Sequence, residues 1–265
     1  MPDFFDIHAH VHFDEYASDK DEVMRRALDA GVWMIQVGVD KETSASACEL
    51  AQAYDKGVYA SVGLHPVYTG PSYSSEVGEV FDRETYKRLA QHPRVVAIGE
   101  CGLDYFRADK AGADLQKKVF EEQIQLACEL NKPLILHIRG EGAYADAYEI
   151  LKRYPKARGD VHFFAGTWQE AQWFLSIGFT LSFTGVITFA RDYDEVVKNT
   201  PLEMLIAETD APYVAPAPYR GKRNEPLYVR EVVQKIAEIR GEDPEMVKKA
   251  LCSNAFRVFD FNPSL

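Results

Sequence analysis

The chain has 265 residues, 46% hydrophobic and 12% aromatic, with a formal net charge of -11. It can bury a full core, which excludes intrinsic disorder, and its acidity argues against broad electrostatic binding of long nucleic acid. No stretch approaches the ~20 apolar residues of a membrane span, the first residues lack a signal peptide's basic-then-apolar pattern, and Cys48, Cys101, Cys128 and Cys252 form no CxxC pair. These features predict a cytoplasmic protein with reduced thiols and no membrane partner, and nothing in the sequence asks for an obligate protein partner.

Eight short apolar runs follow one another along the chain: 4–8, 32–38, 58–65, 95–100, 133–138, 161–166, 179–185 and 204–210. Each is rich in β-branched or aromatic residues and ends near Gly, Pro or Asp, the pattern of a buried strand. Helical patterns lie between them. Residues 18–30 open on Ser18 as a cap, carry acids in the first turn and stop at Gly31. Residues 114–131 open on Asp114 as a cap and place Leu115, Val119, Phe120, Ala127 and Leu130 near one face. Strand–helix units repeating at roughly 25–40 residues predict an α/β fold, a (β/α)8 TIM barrel. The alternative, an open doubly wound sheet, usually has fewer strands and a Gly-rich phosphate turn, and neither GxGxxG nor GxxxxGK[ST] occurs. No linker divides the chain, so residues 1–265 are read as a single hydrolase domain, with 66–81 as a loop at the barrel mouth.

Titratable side chains gather in the strand patterns. His8 and His10 lie in the first, His65 ends the third, Glu100 ends the fourth, His137 is late in the fifth, His162 early in the sixth, and Asp210 closes the eighth. Taken singly each has an ordinary structural reading, a satisfied histidine or a turn-forming acid. His92, beside Pro93, reads as an exposed loop residue. Yet apolar strands rarely hold unpaired titratable groups, and strand residues two apart project to one side, so His8 and His10 point together. Because the C-terminal strand ends of a barrel line one mouth, His8, His10, Glu100, His137, His162 and Asp210 are predicted to meet there as a metal site. Imidazole and carboxylate ligands suit Zn²⁺ and other divalent ions, including Mg²⁺ and Mn²⁺. Six ligands exceed what one catalytic ion requires. Two ions sharing a carboxylate would use them all, which points to hydrolysis, with phosphoesters a leading substrate class.

The stretches DIHAHVHFDE, GLHP, GECGLDYFR, NKPLILHIRG, HFFAG and ETDAPYVAPAPYRGKRNEP resemble, in order and spacing, the motifs of TatD-type metal-dependent deoxyribonucleases of the amidohydrolase superfamily. The resemblance runs from residue 3 to about residue 260. It implies a TIM barrel holding two divalent ions, the first bound by His8, His10 and Asp210, the second by His137 and His162, with Glu100 bridging both. It also implies that His65 lies near the scissile phosphate without binding metal, and that the substrate is DNA trimmed from the 3′ end. Two positions depart from the family: Phe163 stands where a Cys or small residue is usual, and His12 has no counterpart. Phe163 is expected to alter packing only, and His12 to be a rim residue outside the metal set.

On this reading Asp210 accepts the proton of the attacking water and His65 helps to stabilise the added charge. Arg139 either contacts a phosphate bidentately or forms a salt bridge at the rim. Asp104, Tyr105 and Arg107 border the substrate, with Tyr105 stacking on a base or simply packing. Arg220, Lys222 and Arg223 form a basic loop at the same mouth, either a phosphate site or a solvated turn. A small cationic site on an acidic protein suits DNA ends and short oligonucleotides, so the expected activity is a 3′-5′ exodeoxyribonuclease on single-stranded or frayed ends. The alternative is a two-metal hydrolase of another ester or amide, in a small metabolite or an aminoacyl-tRNA.

Overall fold

The structure, a computed structural model, describes residues 2–70, 78–107 and 110–261. Eight strands form one parallel sheet in sequential order: β1 (Phe4–Ala9), β2 (Val32–Val37), β3 (Val58–Val62), β4 (Val95–Asp104), β5 (Leu134–Arg139), β6 (Gly159–Val161), β7 (Thr180–Phe183) and β8 (Leu205–Ala207). The chain past β8 closes the circle on β1, Asp210 N–H donating to the His8 carbonyl and His10 N–H to that of Ala211. This is the expected (β/α)8 TIM barrel. Its helices are α1 (Lys20–Asp29), α2 (Lys41–Gln52), α3 (Arg83–Ala90), α4 (Lys110–Leu130), α5 (Ala143–Leu151), α6 (Trp168–Ser176), α7 (Asp194–Asn199), α8 (Val229–Arg240) and α9 (Pro244–Phe259). Among the described residues no helix is long and apolar enough to cross a membrane.

Several expected boundaries move. α4 begins at Lys110, so Asp114 lies within the helix rather than capping it. α1 begins at Lys20 with Asp19, not Ser18, at the cap position, and the Asp19 carboxylate makes no cap bond because Arg223 engages it. The sixth strand is Gly159–Val161, so His162 follows its end instead of opening it. Residues 71–77 of the expected mouth loop lie outside the described residues; Pro66–Thr69 form a 3₁₀ turn.

Two bulges aim the strand residues that matter here. Phe5, Ile35, Tyr59, Ala97, Ile135 and Ile206, from six strands, share one cluster with Phe259 and Phe261, a grouping that the barrel interior provides. Ile7 belongs to that cluster, so strict alternation would turn His8 and His10 outward. The register instead advances from Asp6 to Ala9 on β1 while it advances only from Met34 to Gln36 on β2. The extra residue turns His8 inward after Ile7. β4 repeats the device: Ile98 to Cys101 runs against Leu134 to Leu136 on β5, and Glu100 lies in the bulge. Gly99 there has φ +146°, and a Cβ would stand 2.5 Å from the Ile135 carbonyl oxygen. Only glycine fits beside Glu100.

Candidate metal centre

The strand ends bring the predicted cluster together. Nε2 of His8 lies 3.1 Å from Nε2 of His10 and 3.8 Å from Oδ1 of Asp210, itself 3.6 Å from Nε2 of His10. Glu100 divides its oxygens. Oε2 faces His8 at 3.3 Å, and Oε1 faces Nδ1 of His137 at 2.9 Å and Nε2 of His162 at 3.5 Å. Asp210 has φ +56°, a left-handed backbone that aspartate tolerates better than most residues. The hydrogen bond to His8 O holds it there, alongside β1.

The outer partners decide how each imidazole presents itself. His10 Nδ1 lies 2.7 Å from the Val37 carbonyl, so it must carry the hydrogen, leaving Nε2 as a lone pair toward Asp210 and His8. His162 Nδ1 likewise donates to Glu208 at 2.6 Å, which aims its Nε2 at Glu100. His65 is the reverse. Its Nδ1 accepts from Val67 N–H at 3.1 Å, so in the neutral ring Nε2 carries the hydrogen, 3.4 Å from Glu100. A nitrogen of that kind donates; it has no lone pair to offer a metal.

Electrostatics separates the groups further. Burial opposes charge on His162, but the Glu208 and Glu100 carboxylates outweigh it and push the ring up to about 10. Burial also raises Glu100 and Asp210, yet the surrounding imidazoles win and hold both carboxyls below the ordinary range, Glu100 most strongly. A divalent cation would satisfy these carboxylates in place of the His162 proton. Three groups lie close enough to share an ion: His8 with His10 and Asp210; His65 with Glu100 and His137; and His8 with His162 and Glu208. The first matches an expected ligand set. None joins His137 to His162, which meet only through Oε1 of Glu100, and the His65 and His162 nitrogens of the other two groups carry hydrogen in this hydrogen-bonding arrangement. The imidazole and carboxylate set, together with the buried Nδ1 of His8 that finds no hydrogen-bond partner among the described residues, fits divalent metal.

Several supporting residues escaped the sequence reading. Glu208 is fully buried and accepts from His162, from the Phe163 amide and from Ser182. Its signal was the acid two residues before Asp210 in AETD. Asp6 accepts from Thr209 N–H at 2.8 Å, Thr209 Oγ1 at 2.6 Å and His8 N–H at 3.2 Å, tying the chain past β8 to β1. On α4, Gln116 and Gln123 lie two turns apart and clamp the backbones of Asp104 and Leu64. The exposed Tyr213 stands beside His10, ring centroids 6.4 Å apart.

Other expectations need correction. Asp104 does not border an open site: it is buried, its Oδ2 lies 3.1 Å from His137 Nε2, and its Oδ1 accepts from Arg107 N–H. It therefore orients His137. Tyr105 is half-buried and donates to Asp146 at 2.8 Å, the packing alternative rather than the stacking one. The exposed Arg107 does follow that turn. Arg139 forms no ion pair among the described residues and lies over the ring of Phe106. The basic loop splits. Arg223 grips Asp19 and covers Tyr16, Arg220 lies over Phe189, and Lys222 is exposed. His12 lines a cleft of about 570 Å³ between α1 and α2 with Lys20, Arg25 and Tyr54, its ring centroid 6.0 Å from that of His10. Burial and the neighbouring His10 push it down to about 3. His92 is half-buried, its Nδ1 accepting from Arg94 N–H.

Residues 5–260 match the family described as TatD related DNase. Over 263 residues the chain is 40% identical to the metal-dependent hydrolase YabD of Bacillus subtilis, covering 97% of this chain and 99% of that one. It is 36% identical over 265 residues to the 3′-5′ ssDNA/RNA exonuclease TatD of Pantoea vagans, covering 96% and 98%. The crystal structure of YjjV, a TatD homologue from Escherichia coli K12, superposes with a TM-score of 0.88 at 30% identity, covering 98% of this chain and 99% of that one.

Proposed function

The chain belongs to the TatD-related DNase family of metal-dependent hydrolases, and from that premise we propose that residues 1–265 act as one hydrolase domain, a 3′-5′ exonuclease on single-stranded or frayed DNA ends using two divalent ions. Glu100 carries the two-ion reading, because one oxygen faces His8 and the other faces His137 and His162. His8, His10 and Asp210 would hold one ion, His137 and His162 the other, and Glu100 both. The ions, Mg²⁺, Mn²⁺ or Zn²⁺, would supply Lewis acidity to a water and to the phosphate oxygens.

The rest of the chemistry falls to the chain. Asp210, ionised at neutral pH and with a side chain 14% exposed, takes the proton of the attacking water. The Nε2 hydrogen of His65 stabilises charge on the phosphate, a role its Nδ1 bond to Val67 supports. Glu208 and Asp104 hold His162 and His137 in their orientations. Arg139, two residues beyond His137 on the same strand, offers donors to a phosphate at the mouth. The four cysteines are free thiols, as suits a cytoplasmic enzyme.

Product analysis on 3′- and 5′-labelled single strands with each metal tests the proposal. Mononucleotides should leave successively from the 3′ end only when metal is present. Metal-dependent turnover of a panel of carboxylic esters and amides without nucleotide release would replace the nuclease reading.

A further inference from the structure

Two large apolar rings stand exposed on the barrel rim, each with a guanidinium over one face. Phe106, two residues beyond β4, is 67% exposed, and the Arg139 Cζ lies 4.4 Å from its ring centroid. Phe189, just after the 3₁₀ turn Gly185–Thr188 that follows β7, is 36% exposed, with the Arg220 Cζ 3.8 Å from its centroid. Both pairs belong to the C-terminal ends of the strands, where the ligand cluster lies.

A surface packing role explains these pairs poorly. The chain has 41 acidic residues against 30 basic ones, yet among the described residues neither Arg139 nor Arg220 forms an ion pair. Their neighbours do: Arg223 pairs with Asp19 and Arg191 with Asp194. A guanidinium held over a ring by its face leaves N–H groups for a phosphate, which an arginine can bind through two parallel hydrogen bonds. The exposed part of each side chain, most of Phe106 and about a third of Phe189, is offered to a base.

We infer that Phe106–Arg139 and Phe189–Arg220 are two stacking stations for a single nucleic-acid strand, each taking one base on the ring and an adjacent phosphate on the arginine. This inference rests on the nuclease reading, and it explains a preference for single strands, because the bases of a duplex have no free face to stack. The acidic surface elsewhere repels the remainder of a long strand, so the stations, rather than bulk charge, hold it.

The test is equilibrium binding of a fluorescent phosphorothioate octanucleotide, alongside hydrolysis of the ordinary strand by the unmodified enzyme. Phe106→Ala and Phe189→Ala should each weaken binding about tenfold, within the range for one stacked base. Phe→Trp at either position should retain binding. An abasic residue at one upstream position should weaken binding to the unmodified enzyme about tenfold, and the matching Phe→Ala variant should no longer sense it. Met246→Ala, an exposed apolar change on α9, should bind like the unmodified enzyme. Hydrolysis with unchanged binding by both Phe→Ala variants overturns the stations and leaves the nuclease reading standing. Phe-dependent binding without hydrolysis overturns the nuclease reading and leaves the stations. Absence of both overturns both.

Discussion

Glu100 and Arg139 stand on neighbouring strands at the same end of the barrel, and their surroundings could hardly differ more. Glu100 is buried, aimed by a bulge and faced by His8, His65, His137 and His162. Arg139 is exposed and touches the face of one phenylalanine. Inside the centre, nearly every side chain is oriented by another, so a change at one position alters its neighbours. At the rim each contact is local and replaceable, so a change should alter affinity and leave the barrel intact. Preorganised charge needs the first arrangement; reversible grip on a strand needs only the second.

The sharpest way to break this contrast is at its inner extreme. Glu100→Ala should abolish paired metal binding and lower hydrolysis by about three orders of magnitude or more. Elemental analysis of the purified variant alongside the rate measurement checks this, and a variant retaining two ions would remove the bridging role. Glu208→Gln probes the orienting contacts instead. The amide can still accept from His162 but carries no charge, so metal affinity should fall about 10- to 100-fold. Titration with Mn²⁺ in a competing chelator reads that shift.

The smallest expected effect lies at the clasp between the rim loop and the start of α1. Arg223 hydrogen bonds hold the Asp19 carboxyl below its ordinary value. A carboxyl with a lowered folded-state value adds stability above its unfolded value, about 3.9, and loses it as pH falls through the folded one. Asp19→Asn should therefore destabilise the protein slightly at about pH 7 and less at about pH 3. Urea unfolding of both proteins at the two pH values measures the difference.

Much of the fold was legible because burial in a parallel sheet leaves near-continuous apolar runs. Seven of the eight runs overlap their strands with shifts at the ends, and the sixth, 161–166, meets Gly159–Val161 at Val161 only. Helix starts were harder to read. Both Asp114 and Ser18 look like caps, but α4 extends upstream to Lys110 and Asp19 occupies the cap position of α1. The site residues were visible as titratable groups in apolar surroundings. Their partners were harder: Asp6 and Glu208 were not visible, and Asp104 was visible but in another role, since each acts on a residue far away in sequence.

Sequence alone determined the order of strands and helices and supplied the histidines and acids of the centre. The HxH spacing alone, however, does not say whether His8 and His10 face the barrel interior or the helices. Only the tertiary structure decided that, because a strand side chain takes its direction from register with the neighbouring strands. The bulges that turn His8 and Glu100 inward exist only in pairing with β2 and β5. The same holds for the basic loop: three cations close together in sequence become a clasp, a stacked ring and an exposed lysine once each meets its partner in space.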